Sequence, residues 1–188
     1  MRAIFIIVTV VLLACNTSGN RKKVARFEPV YATDTTSYIQ WTDGAKIFRS
    51  SNTIDNHYVD EKTYIQWTSD RFMCLRHYNG SDTWTDIILP FNHSGYKMFE
   101  NPLAYDKPNG IVVYETDSLH FKLVAENISS GEKEFIGADW ESCSSVFPHY
   151  CIQNISVQDR VLSVEWVTPN RIDQPNKRVL KEIELRIR

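Results

Sequence analysis

The sequence predicts an all-β protein: an antiparallel meander closed as a barrel and entered through one short N-terminal helix, with a β-sandwich as the alternative. Three observations predict it. Beyond Tyr58 the apolar residues recur mostly at every second position, the period of a strand with one buried and one wetter face. Aromatic residues reach 12%, with nine Tyr, nine Phe and five Trp, the enrichment of a packed β domain. Roughly seven to nine such runs follow one another, and closing them into a barrel or a pair of sheets removes their free edges.

The chain begins with an export segment. One Arg precedes an apolar run, Ala3 to Ala14, and then Cys-Asn-Thr-Ser-Gly, so residues 1–19 read as a signal peptide. The run is too short for a stop-transfer helix. Its end has two readings. Cleavage between Cys15 and Asn20 gives a secreted, extracellular protein. Leu12-Leu13-Ala14-Cys15 is also a bacterial lipobox, in which Cys15 is lipidated and the protein is an outer-membrane lipoprotein. Residues 20–37 are polar and without period, a leader with a solvated Arg21-Lys22-Lys23, and residues 38–188 form a single β-barrel domain.

Thr42 to Ser51 is the expected helix, capped by Thr42 or Asp43. Strands follow at Arg71–Tyr78, Trp84–Leu89, Ile111–Thr116 and Leu119–Glu126, with a tight turn at Asp117-Ser118. Ile152–Val157 and Val161–Val167 form a hairpin turning at Gln158-Asp159-Arg160, and Val179–Ile187 closes the chain. Parity names the faces: Leu119, Phe121 and Leu123; Leu162, Val164 and Trp166; Ile183, Leu185 and Ile187. Tyr38-Ile39-Gln40-Trp41-Thr42 and Tyr64-Ile65-Gln66-Trp67-Thr68 are identical pentapeptides. Without a third copy in register they read as two strands of similar packing role, or as coincidence.

Charge is nearly balanced, 21 basic against 23 acidic residues, so nothing asks for a nucleic-acid partner. No later apolar run is long enough for a transmembrane span. The sequence holds no G-x-S-x-G, H-E-x-x-H, P-loop or dinucleotide fingerprint. His57, His77, His93, His120 and His149 are scattered, with no second ligand at metal spacing. The expectation is therefore a binding protein with no catalysis, cofactor or metal. Inward aromatics of a small barrel can line a pocket for one small-molecule ligand. Tyr96, Phe99, Tyr105, Tyr114, Phe121 and Trp166 are the candidates. A cationic ligand would also need a desolvated carboxylate, and Glu100, Glu115 and Asp117 are the nearest acids, Glu115 being the one chosen for the site.

Beyond Cys15, three cysteines remain, Cys74, Cys143 and Cys151, so at most one internal disulfide forms and one thiol is left over. Cys143 and Cys151 can clip a local loop. Cys74 can instead be tied to either across the fold, and the longer tie is worth more, about 3–5 kcal/mol in the chain-entropy picture. N-x-[ST] sequons lie at Asn16, Asn79, Asn92, Asn127 and Asn154, with Asn79, Asn92 and Asn127 the chosen glycosylation sites and Asn154 too strand-like.

Several residues carry a family resemblance. Asp43-x-x-Lys46, Ser50 to Ile54, Tyr58, Phe72-Met73-Cys74-Leu75, Gly95-Tyr96, Phe99, Trp140-Glu141 and Val146 to Cys151 together resemble the tick salivary lipocalins. The match spans roughly residues 43–151 as scattered motifs. It departs at Phe121-Lys122-Leu123, where the family carries a cysteine, and at Ala138-Asp139-Trp140, where it carries Glu-Leu-Trp. The resemblance implies a lipocalin-like barrel, secreted in saliva, that sequesters a biogenic amine or a fatty-acid-derived mediator. The alternative is a bacterial surface lipoprotein whose β-sandwich is an interaction module, the only reading with a lipid anchor.

Overall fold

In a computed structural model the described residues are 24–116, 123–137, 148–167 and 178–187. They form β1 (Arg26–Tyr31), β2 (Thr36–Thr42), β3 (Ile47–Arg49), β4 (Ile54–Asp55), β5 (Thr63–Thr68), β6 (Phe72–Tyr78), β7 (Trp84–Pro90), β8 (Lys97–Glu100), β9 (Pro102–Asp106), β10 (Ile111–Glu115), β11 (Leu123–Asn127), β12 (Lys133–Ile136), β13 (Ile152–Gln158), β14 (Val161–Val167) and β15 (Arg178–Glu184). Two short 3-10 turns cover Asn56–Val59 and Pro148–Cys151. Among these residues no helix is long and apolar enough to cross a membrane.

The strands make four antiparallel sheets in chain order: β1-β2-β3 with β4 also on β2, β5-β6-β7-β8, β9-β10-β11-β12, and β13-β14-β15. These are sheets 1 to 4. Each keeps its own edges, so the expected closed barrel is not formed. The sheets instead stack face to face in a sandwich-like series. Ile39, Trp41 and Ile54 of sheet 1 pack on Met73, Leu75, Ile87 and Leu89 of sheet 2. The opposite face of sheet 2, with Phe72, Cys74, Ile88 and Phe99, packs on Val112 of sheet 3. The other face of sheet 3, with Ile111, Val113, Leu123 and Ala125, packs on Leu162, Val164 and Trp166 of sheet 4.

The sequence explains the stack. A barrel strand has one face to the lumen and one to solvent, whereas β6, β7 and β10 are buried on consecutive residues. Their apolar runs, Phe-Met-Cys-Leu, Ile-Ile-Leu and Ile-Val-Val, serve two cores at once. The terminal sheets alternate instead: in β2, Ser37, Ile39 and Trp41 are buried, and in β14, Leu162, Val164 and Trp166. Their outer faces carry exposed charges, Arg26, Glu28 and Arg49 at one end and Arg178, Glu182 and Glu184 at the other, so among the described residues the stack has no further layer.

The helix expected over Thr42–Ser51 is also absent. The Asp43 carboxylate accepts from the Ala45 and Lys46 amides (2.7 and 2.8 Å), closing a turn. Gly44 adopts a φ of 87°, open to glycine without strain. The side chain that should have capped a helix thus closes the β2–β3 hairpin. The stretch read as leader contains β1 and the first residues of β2, because Phe27 packs against the core of sheets 1 and 2.

The other expected strands form close to their expected bounds, except that only Leu123–Asn127 (β11) of the strand expected over Leu119–Glu126 lies among the described residues and the last strand, β15, ends at Glu184. The turn between β13 and β14 narrows to Asp159 and Arg160, both at positive φ (50° and 65°). Asp106 of β9 holds it, accepting from the Arg160 amide at 2.9 Å and tying sheet 3 to sheet 4. The Asp117-Ser118 turn and residues 119–122 lie outside the described residues.

Candidate functional site

A cleft of about 560 Å³ opens where β8, an edge of sheet 2, crosses sheet 3. It is lined by Thr85, Lys97, Met98, Phe99, Glu100, Tyr114, Glu115, Glu126 and Lys133. Alternation along the short edge strand sets one wall. Phe99 stands opposite Asp86 and Lys97 opposite Ile88, so both face sheet 3. Across the gap, Val112, Glu126 and Lys133 form one cross-strand row over β10, β11 and β12, and Tyr114 stands beside Val124 in the next. The Phe99 and Tyr114 rings meet at 5.4 Å and a tilt of 47°, a favourable aromatic geometry.

Glu126 is the centre of the polar wall. Its side chain is 8% exposed, and a buried carboxylate must find partners. Lys97 Nζ donates to Oε1 at 2.9 Å and Tyr114 Oη donates to Oε2 at 3.0 Å. Lys133 Nζ pairs with Oε2 at 3.4 Å and lies 5.9 Å from the Tyr114 ring centre. The two lysine side chains keep 36% and 47% of their surface in water, so the cleft shows partly exposed lysines around a carboxylate paired on both oxygens. Hydrogen bonding with Tyr114, then the charge of Glu126, hold the Lys133 proton more firmly than usual. Burial raises the Tyr114 hydroxyl above its ordinary range. Gly131, in the β11–β12 turn, leaves room for Lys97: a Cβ there would stand 3.4 Å from Nζ.

Glu115 lies at the rim. One carboxylate oxygen accepts from the His149 backbone amide and from His149 Nδ1 (2.8 Å), joining β10 to the Pro148–Cys151 turn. The other oxygen is buried with no hydrogen-bond partner. Burial pushes the carboxyl above the usual carboxylate range, and the His149 contacts oppose that shift.

The structure thus brings Phe99, Tyr114 and Glu115 together with Glu100, and separates Tyr96, Tyr105 and Trp166 from them. Tyr96 packs against the core of sheets 1 and 2 and donates to the Thr53 carbonyl at 3.0 Å. Trp166 is 2% exposed in the core of sheets 3 and 4. Tyr105 is half-buried against the core of sheets 2 and 3, and its hydroxyl donates to Asp86 at 2.7 Å. Phe121 and Asp117 lie outside the described residues. Lys97, Glu126 and Lys133 escaped sequence reasoning. The available signals were the Lys-x-Phe spacing of β8 and a lone acid inside the buried run Leu-Val-Ala-Glu-Asn.

The other polar cluster between sheets 2 and 3 is structural. Asp86, fully buried, takes both arms of Arg76 (2.7 and 2.8 Å) besides Tyr105. Cys74 beside it is a free buried thiol, raised far above the ordinary thiol range mainly by burial. The long tie through Cys74 is therefore not made. Cys151 is disulfide-bonded; Cys143 and Cys15 lie outside the described residues, as does Asn16. Asn79 and Asn92 are exposed, and Asn79 Nδ2 donates to Thr85 Oγ1 at 2.9 Å. Asn127 is 8% exposed, its side-chain oxygen accepting from the Ser129 and Ser130 amides (2.8 and 2.9 Å).

Compared with known proteins, the chain matches no protein-family model, no curated protein and no solved structure.

Proposed function

We propose that the protein is an exported binding module that holds a small amphipathic ligand, without catalysis, in the open cleft between sheets 2 and 3. The apolar run Ala3 to Ala14 supports export. The observation that carries the binding reading is the cleft itself. Some 560 Å³ is lined by the apolar Met98, Phe99 and Tyr114 together with the charged Lys97, Glu126 and Lys133. Aromatic walls with a few convergent polar groups are the make-up of small-ligand sites. The neutral fluorescent amphiphile N-phenyl-1-naphthylamine tests it. Saturable fluorescence enhancement, lost in Tyr114→Ala while circular dichroism is unchanged, is expected. Equal enhancement in the parent and in Tyr114→Ala removes the cleft as the site.

A second reading is favoured by the stacked sheets that replace the barrel. On that reading the protein is a surface lipoprotein anchored through Cys15, and the stack is an interaction module. The mass of the mature N-terminal peptide and detergent-phase partitioning decide between them. Diacylglycerol on Cys15 establishes the anchor, and cleavage beyond Cys15 with recovery in the aqueous phase excludes it.

A further inference from the structure

We propose that the cleft takes an anionic head, a carboxylate or a phosphate, between Lys97 and Lys133. This rests on the cleft being the binding site and names the chemistry of its ligand. Glu126 has partners on both oxygens: Lys97 on Oε1, Lys133 and Tyr114 on Oε2. A cation entering the cleft meets a carboxylate already paired on both oxygens and is repelled by two ammonium groups. An anion meets N–H donors not used by Glu126, since each ammonium has three and both remain partly in water. The two lysines exceed the one carboxylate between them by one positive charge.

The other two acids that line the cleft, Glu100 and Glu115, form no ion pair with either lysine among the described residues. Glu100 stands opposite Thr85, in the alternate row of β8 from Lys97 and Phe99. Glu115 is engaged by His149 through one oxygen, and its second oxygen is closed off from solvent. The Phe99 and Tyr114 rings then stand beside the head, where an apolar tail would lie.

The test uses the full chain and amphiphiles of one tail length below their micelle concentrations: decanoate, decyl phosphate, decylammonium and neutral decanol, each titrated by calorimetry. Decanoate, decyl phosphate or both are expected to bind at least about tenfold more tightly than decylammonium. Which anion is tighter identifies the head, and the preference shrinks with added salt. The double variant Lys97→Met, Lys133→Met is expected to erase the preference while decanol binding persists. Because it strands a buried carboxylate, Glu126→Gln supplies an independent arm: it keeps both lysines, removes their counter-charge and should tighten decanoate about tenfold. Decylammonium binding as tightly as decanoate overturns the anionic head and leaves the cleft standing. Weaker decanoate binding in Glu126→Gln also overturns the head assignment. Failure of all four amphiphiles overturns the cleft reading with it.

Discussion

Tyr38–Thr42 and Tyr64–Thr68 share five residues in the same order, yet they occupy their sheets differently. In β2 the pairing is regular, with Ile39, Gln40 and Trp41 opposite Pro29, Glu28 and Phe27. Ile39 and Trp41 therefore share one face, and both are buried against sheet 2. In β5, Ile65 stands opposite Leu75 and Trp67 opposite Cys74, adjacent residues of β6, so Gln66 is an extra residue in the ladder. Ile65 then faces sheet 1 while Trp67 faces sheet 3. A one-residue change of register moves a side chain to the other face. The bulge lets one pentapeptide serve one core in a terminal sheet and two cores in an inner one.

The polar ends of the two indoles differ accordingly. Trp41 Nε1 donates to the Pro90 carbonyl at 2.9 Å, and its ring stacks on Phe48 at 5.7 Å. Trp67 Nε1 is buried without a partner, although its ring meets Tyr105 edge-on at 4.9 Å and Lys107 Nζ lies 5.3 Å away.

Deleting one residue from each copy puts the comparison under the greatest strain. Loss of Gln40 forces either Ile39 or Trp41 off the buried face and should cost at least about 3–5 kcal/mol, comparable to truncating a core side chain. Loss of Gln66 removes only the bulge, leaves Ile65 and Trp67 on opposite faces, and should change stability by no more than about 1 kcal/mol. Urea unfolding of the two deletions reads both values, and equal losses would break the comparison.

A smaller effect comes from removing each indole N–H. Trp41→Phe loses a buried hydrogen bond and some volume, and should cost about 1–3 kcal/mol. Trp67→Phe removes an unpaired N–H and should be neutral to within about 1 kcal/mol. The smallest effect separates the two strands by pH. β2 is anchored by Ser37, whose hydroxyl donates to Asn56 Oδ1 at 2.6 Å and does not titrate. β5 begins with Thr63 Oγ1 beside His77 Nδ1 at 3.1 Å, and burial holds His77 below the ordinary value of 6.5. A histidine with a lowered folded value stabilises above the unfolded value, and that contribution is lost as pH falls through the folded one. Stability should therefore decline as pH falls from about 7.5 through the unfolded value and on through the lower folded one, and His77→Gln should flatten that part of the decline.

The same contrast explains what could be read from the chain alone. β6, β7, β10, β13 and β14 were legible from β-branched and aromatic runs and from the turns between them. The stack is also written there, in the unbroken Ile-Ile-Leu of β7 and Ile-Val-Val of β10, runs that a period of two does not describe. The bulge at Gln66 was not legible, because both pentapeptides carry the same residues and the partner strand decides the register. In the cleft, Phe99, Tyr114 and Glu115 followed from looking for aromatics near an acid. Lys97 and Lys133 did not, since a lysine on a short edge strand looks solvated until the sheet opposite supplies Glu126. Phe135 of β12, opposite Val124, is likewise placed by pairing alone.

Through-space NMR contacts of the two indoles test the central claim, that one pentapeptide faces one core in sheet 1 and two cores in sheet 2. The account predicts contacts from the Trp41 indole to Phe48 and Pro90, and from the Trp67 indole to the Tyr105 ring. It further predicts contacts from Ile65 to Leu75 on the opposite face. A Trp67 indole that shares Ile65's neighbours in the core of sheets 1 and 2, with no contact to Tyr105, would contradict it.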